Sequence, residues 1–180
     1  LGDVYKRQLY ERYLFKKSDA AVFSSRRMIK NVQSRCVELP QVVEVIPNYI
    51  VPKIWSPPHH IKSQETVVRL IYFGRFSAQK NLGNLIQGIR QLPVHLILIG
   101  EGSNFEELQR LIKQCKVSCE ILPRLPQSKL VEVLRTCDLF VLPSFYEGHP
   151  KALIEAMALG IPALVADSPG IAESVTPGVS

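Results

Sequence analysis

Apolar residues in the second two-thirds of this chain fall into short, mostly apolar runs at 67–73, 94–99, 119–122, 139–142 and 161–166. Runs of this length suit strands rather than helices, and with so few polar residues they suit strands covered on both faces. Between them, at 82–91, 104–115 and 127–135, and again from Pro150 onward, apolar positions recur three or four residues apart, as they do on a helix packed along one stripe. A final short helix is expected near 171–175. Strands and amphipathic helices in alternation predict an α/β domain with a parallel sheet between helical layers. Right-handed crossovers make it a Rossmann-like, doubly wound sheet, whose ligands sit beyond the carboxyl ends of the strands.

The first third is less regular. Residues 9–17 have apolar and aromatic positions at helical spacing, 20–23 form a short strand, and Ser24-Ser25 should cap a helix running to about residue 35. A second strand at 42–46 stops at Pro47-Asn48. The next stretch, to about Gln64, carries Pro47, Pro52, Pro57 and Pro58 without any period and reads as a linker. The expected organisation is therefore a small α/β piece over 1–46, a linker over 47–65 and the regular domain over 66–180.

With 180 residues, 46% of them hydrophobic, the chain can bury one domain and part of another. The net charge is +6, and the whole excess lies in residues 1–62. A basic region of this kind forms an ordinary solvated face or meets an anionic membrane surface. No aromatic-plus-basic pattern accompanies it, so nucleic acid is not an expected partner. No apolar run approaches the ~18 residues of a membrane span, and nothing resembles a secretory signal. Cys36, Cys115, Cys119 and Cys137 are scattered, which suits reduced thiols and a cytoplasmic setting, at the inner face of the membrane if the basic region binds lipid. Cys115-x-x-x-Cys119 lacks a second ligand pair and His59-His60 has no carboxylate or thiol at ligand spacing, so no metal is expected. There is no initiator Met, the chain stops mid-phrase at Thr176-Pro-Gly-Val-Ser180, and the opening LGDVYKRQ joins poorly to the residues after it. Residues 1–8 are read as non-native and the chain as a fragment.

The most informative string is SFYEGHPKALIEAMALGIP, beginning at Ser144. The run 139–142 is a strand, and Pro150 is well placed as the first residue of a helix. Glu147 then lies in a strand-to-helix loop and Glu155 about a turn and a half into the helix. The first-turn amides near Gly148, His149, Pro150 and Lys151 fall between the two carboxylates. A helix N-terminus at a strand end favours an anion such as phosphate, and flanking carboxylates accept hydrogen bonds from hydroxyls. The ligand so implied is anionic at one point and hydroxyl-rich on either side, like a nucleotide sugar. In the loop after the first strand of the domain, Gly74-Arg75 and Lys80 place a guanidinium and an ammonium together, a pair that suits a diphosphate. Gly100 and Gly102 let backbone approach closely at another strand end.

The string beginning at Ser144 resembles the E-x7-E signature of the GT-B-type retaining glycosyltransferases of family 4 (glycosyl transferases group 1), roughly S-x-x-E-G-x-P-x-x-x-x-E-A-x-A-x-G-x-P-V. The phrase Gly74-Arg75…Lys80-Asn81 is similar to the family's G-R-x5-K-N. The resemblance covers about residues 18–178. It implies that 66–180 is most of the nucleotide-sugar domain and that 1–46 is a remnant of the acceptor domain. The linker, Pro47-Asn48-Tyr49-Ile50-Val51, departs from the usual P-N-G-V-D. It further implies transfer of a sugar, typically a hexose, from a nucleotide-diphosphate donor with retention of configuration and without metal or other cofactor. The acceptor would be a glycan, a lipid or a small molecule.

By resemblance, Arg75, Lys80 and Glu147 are the catalytic groups: the two cations hold the leaving diphosphate and Glu147 meets the donor sugar. Glu155 accepts from the ribose, while Gly74, Gly100, Gly102, Gly148, His149, Pro150, Lys151 and Ala152 line the donor site. Arg124 and Leu125 fall where relatives meet the base, although Pro123 stands where a Gly is common. A non-catalytic nucleotide-sugar-binding protein of the same fold is the alternative reading. A dinucleotide-dependent oxidoreductase would need G-x-G-x-x-G after the first strand, where this chain has GRFSAQ.

Overall fold

A computed structural model describes residues 2–35, 37–55, 67–171 and 174–175 of the protein. Its internal contacts divide the chain into two compact units, Leu1–Asn48 and Tyr49–Ser180. Most of the predicted linker (56–65) lies outside the described residues, with His59, His60, Pro57 and Pro58, as do Cys36 and the centre of the short helix expected near 171–175.

The first unit contains α1 (Gly2–Lys17), β1 (Ala20–Phe23), α2 (Arg26–Gln33) and β2 (Val42–Val45). Helix α1 begins earlier than the periodicity at 9–17 suggests. The two strands pair in parallel, Ala20 with Val42 through Phe23 with Val45. Ser25 caps α2 by accepting a hydrogen bond from the Met28 amide at 3.4 Å, satisfying one of the orphan N–H groups of the first turn. Ala21, Phe23, Val32 and Val37 form a small core, extended by the stacking of Phe15 on Phe23.

The second unit is built on a five-stranded sheet of β3 (Val68–Phe73), β4 (Val94–Ile99), β5 (Cys119–Leu122), β6 (Leu139–Leu142) and β7 (Ala163–Val165). The order is β5-β4-β3-β6-β7 and every pairing is parallel. The last four residues of β3 and of β4, and the last three of β6, are fully enclosed, whereas the edge strands β5 and β7 are only half-buried. That gradient follows from position in the sheet: only strands flanked on both sides and covered on both faces can bury every side chain. Among the described residues, four helices cover the sheet: α3 (Leu82–Ile89), α4 (Phe105–Cys115), α5 (Gln127–Leu134) and α6 (Lys151–Ala158). Helix α4 ends on Lys116 in the left-handed region at φ 53°, its N–H returning to Ile112 and Lys113.

The chain runs β3, β4, β5 outward in one direction and returns to place β6 on the other side of β3. The strand order therefore reverses between β3 and β6, where loops at the carboxyl ends diverge and open a crevice. Phe73 and Phe140 meet across this seam, with ring centroids 5.2 Å apart. Ile50 and Trp55, at the start of the predicted linker, pack into the core of this unit.

Two of the boundaries that differ from the sequence reading have a local hydrogen-bond cause. Pro150 is the residue before α6 rather than its first, with ψ 100° and a carbonyl that accepts from the Leu153 and Ile154 amides. Strand β7 begins at Ala163 rather than 161, because the Ile161 amide is bonded to the Ala156 carbonyl at the end of α6 and is withdrawn from the ladder.

Leu98, fully enclosed and in register between Tyr72 and Ile121, tests the central sheet. Leu98→Ala should cost about 2–5 kcal/mol of unfolding free energy in denaturant titration, the range for emptying a packed aliphatic site.

Candidate active site

The residues that sequence reading singled out lie in loops at the carboxyl edge of the sheet or, for Lys151, Ala152 and Glu155, on α6. After β3 the backbone is held at successive points: the Gly74 amide donates to Ile99 (2.9 Å), the Phe76 amide to Glu101 (2.8 Å), and the Asn104 amide to Phe76 (3.2 Å). From the core, the Tyr72 hydroxyl donates to the Arg75 carbonyl at 2.9 Å. This nesting explains the glycines. A Cβ on Gly100 would lie 1.9 Å from the Gly74 oxygen, and one on Gly102 2.1 Å from the Phe76 oxygen. Both have φ in the range that disfavours other residues, 146° and 157°. The Gly-Glu-Gly turn is thus fixed by the close approach of two backbones.

Further along the same loop, a short 3-10 turn (Ala78–Lys80) ends on Asn81 at φ 56° and presses against the loop after β6. The Asn81 amide side chain donates to the Pro143 carbonyl (3.1 Å), that of Gln79 to the Tyr146 carbonyl (2.8 Å), and the Phe145 amide to the Gln79 carbonyl (2.9 Å). Lys80 Nζ donates to Glu147 Oε1 at 2.6 Å, and the two side chains are only 19% and 8% exposed. Glu147 is fixed from the other side as well: its amide donates to Pro169 (2.8 Å), and a Cβ on Gly170 would lie 1.7 Å from its carbonyl oxygen. Burial, and then the charge of Glu147, push the Tyr72 hydroxyl well above the usual phenol range.

A cleft of about 580 Å³ opens beside Arg75. Of the predicted site residues, Gly74, Arg75, Gly100, Arg124, Leu125, Lys151 and Glu155 line it. Lys80 and Glu147 face each other instead and, with Gly102, Gly148, His149, Pro150 and Ala152, are not among its lining residues. Six further lining residues not singled out from the sequence are Trp55, Phe73, Ile99, Glu101, Gln127 and Leu130. Trp55 is only 2% exposed and its indole nitrogen has no partner among the described residues. Its place in a proline-rich stretch without periodicity gave no signal. Gln127 could have been anticipated, since it opens the helix immediately after the predicted Arg124-Leu125 contact.

Inside the cleft, Glu155 is nearly buried, with Lys151 Nζ 3.7 Å from its carboxylate one helical turn earlier. Burial raises its pKa above the ordinary carboxylate value, and the charge of Lys151 only partly opposes this. No side chain caps α6, because the capping position is Pro150. The amides of Lys151 and Ala152 have no intrahelical acceptor, and the positive end of the helix lies where Lys151 lines the cleft. The cleft therefore combines two guanidiniums (Arg75 and Arg124), an ammonium (Lys151), uncapped helix amides, two carboxylates (Glu101 and Glu155) and an apolar sector. That set can hold an anionic group, hydroxyls and a flat apolar ring at once. Among the described residues, no group of three or more His, Cys, Asp or Glu could hold a metal ion. Nor is any helix among them long and apolar enough to cross a membrane.

Comparison with known proteins identifies the family and the fold. Residues 56–180 match the family model of the glycosyl transferases group 1. The amylovoran biosynthesis glycosyltransferase AmsD of Erwinia amylovora is 32% identical over 132 residues, 66% of this chain and 37% of AmsD. A lipopolysaccharide 1,6-galactosyltransferase of Escherichia coli (strain K12) is 30% identical over 119 residues, 61% of this chain and 33% of that enzyme. The matched span is thus about a third of each relative's length. Among solved structures, Anabaena Alr3699/HepE in complex with UDP and glucose superposes with a TM-score of 0.83 over 96% of this chain and 51% of that one, at 20% identity. The fold is accordingly that of the GT-B proteins.

The raised pKa of Glu155 has a definite consequence for stability. The folded state holds the Glu155 proton more tightly than the unfolded chain, so ionisation costs stability as pH rises above the ordinary carboxyl value of 4.5. Glu155→Gln should therefore melt higher than the parent at neutral pH, with the difference closing as pH falls below that value. Thermal unfolding at several pH values checks this.

Proposed function

Because the chain belongs to the glycosyl transferases group 1 family, we propose that it is the donor-binding part of an enzyme that moves a sugar from a nucleotide diphosphate to an acceptor. The proposed transfer retains the anomeric configuration and uses no metal or other cofactor. The observation that carries the reading is the placement of Arg75, Glu155 and the uncapped amino end of α6 on one cleft. It is supported by the Anabaena neighbour, which is described as a complex with UDP and glucose.

In this reading the bond between the anomeric carbon and the diphosphate oxygen breaks as the acceptor oxygen bonds to that carbon and passes its proton to the departing diphosphate oxygen. Negative charge gathers on the departing diphosphate. Arg75 Nη groups and the first-turn amides of α6 meet that charge, and Lys80 adds its own from the adjoining loop. The sugar passes through an oxocarbenium-like state, which Glu147 stabilises through the hydroxyls of the ring. The buried Lys80–Glu147 pair holds both groups in place until the donor redirects their hydrogen bonds to its own diphosphate and hydroxyls. Glu155 accepts from the ribose hydroxyls. The apolar sector formed by Trp55, Leu125 and Leu130 receives the base.

Acceptor selection is assigned to the part of such an enzyme beyond the residues matched here, so these 180 residues are expected to bind donor without transferring sugar alone. The acceptor is a glycan, a lipid or a small molecule.

Calorimetric titration with UDP-, GDP- and ADP-sugars tests the reading, and at least one should bind. Arg75→Ala should weaken that donor roughly 10- to 100-fold, the worth of a charge-assisted bond, while leaving the free nucleoside unaffected. Absence of binding by all three donors would overturn it.

A further inference from the structure

Tyr72 is the penultimate residue of β3, fully enclosed, with its ring near that of Phe76. A phenylalanine would fill the same volume without placing a hydroxyl in the core, where an unpaired one is costly. The hydroxyl donates to the Arg75 carbonyl at 2.9 Å. That carbonyl and the Phe76 N–H belong to the same peptide unit, and the Phe76 N–H is bonded to the Glu101 carbonyl at 2.8 Å. Both polar ends of the peptide unit after Arg75 are thus pinned, one by backbone and one by Tyr72. A fixed peptide plane fixes ψ of Arg75, and the backbone angles limit the rotamers open to the side chain. On the other side of Arg75 the Gly74 amide is tied to Ile99. Gly74, at φ 150°, is matched to this arrangement, since a Cβ there would lie 2.9 Å from the Tyr72 oxygen.

We propose that Tyr72 is a positioning residue for the anion site, its buried hydroxyl orienting Arg75 by holding the peptide plane that follows it. The inference rests on the diphosphate-binding reading of the cleft for its functional consequence, but not for its structural one. Tyr72 does not itself line the cleft, and its hydroxyl meets the site through Arg75 and Gly74, so its effect is confined to the anionic part of the ligand. Its raised pKa keeps the hydroxyl a donor at any working pH.

The test is Tyr72→Phe, which deletes one oxygen and keeps the ring. Affinity for UDP or GDP should fall roughly 3- to 10-fold, the worth of one hydrogen bond, with affinity for uridine or guanosine unchanged. In an Arg75→Ala background the same substitution should cause no further loss, because the group it orients is gone. Unchanged diphosphate affinity, an equal loss for the nucleoside, or a loss that persists without Arg75 would each overturn the proposal. A ligand-free measurement stands beside these: amide hydrogen exchange at Phe76 should quicken several-fold in Tyr72→Phe, while exchange at Leu98 in the sheet centre stays as in the parent. If the parent binds no nucleotide at all, the functional reading fails, and the Phe76 exchange rate alone decides whether Tyr72 holds this peptide. An unchanged rate there overturns the role.

Discussion

The pairing of β3 with β6, Leu70 against Leu139 and Ile71 against Phe140, brings together two stretches of chain that sequence keeps far apart. It lies where the strand order reverses, so the two loops that leave these strands emerge side by side at the same edge. One loop carries Arg75 and Lys80; the other carries Glu147 and leads into the helix of Glu155. Without this seam neither the Lys80–Glu147 pair nor the cleft beside Arg75 would exist. The seam is held by the strand ladder, by the Asp138 carboxylate, which accepts from the Arg69 amide at 2.8 Å, and by the packing of Phe73 on Phe140 among fully buried strand ends.

The ion pair across the seam is mostly removed from water, and this shapes its energetics. Two charges taken out of water lose hydration that mutual attraction only partly returns, so such a pair is weak evidence for added stability. Removing either partner, in contrast, leaves an uncompensated buried charge. The pair is better understood as a device that holds two functional groups in a dry place at defined positions. Three flanking hydrogen bonds, from Asn81, Gln79 and Phe145, carry the mechanical load of joining the loops. Lys80 and Glu147 are therefore spared that task.

Close approach of backbones is the second recurring device. At Gly100 and Gly102 one loop lies against another with no room for a side chain, and at Gly170 the turn after β7 does the same to Glu147. Such contacts are stiff because hydrogen bonds accompany them, and stiffness at the edge of the sheet suits a site that acts by placing charge. The Tyr72 hydroxyl belongs to the same set: a polar group inside the core whose partner is the backbone of a cleft residue.

Much of this was legible in the chain itself. Short, mostly apolar runs located β4, β5 and β6 to the residue, because their length and the breaks on either side fit strands. Glycine and proline punctuation marked the loops, and the spacing of Glu147 and Glu155 put one carboxylate in a loop and the other on a helix. What the chain could not state was which loops would touch. That Lys80 bonds to Glu147, that Glu155 is nearly buried beside Lys151, and that Trp55 belongs to the cleft are consequences of packing between segments remote in sequence. Local patterns of polarity and backbone preference specify elements, because those depend on neighbours along the chain. The environment of a charge depends on neighbours through space, and only the folded sheet supplies them.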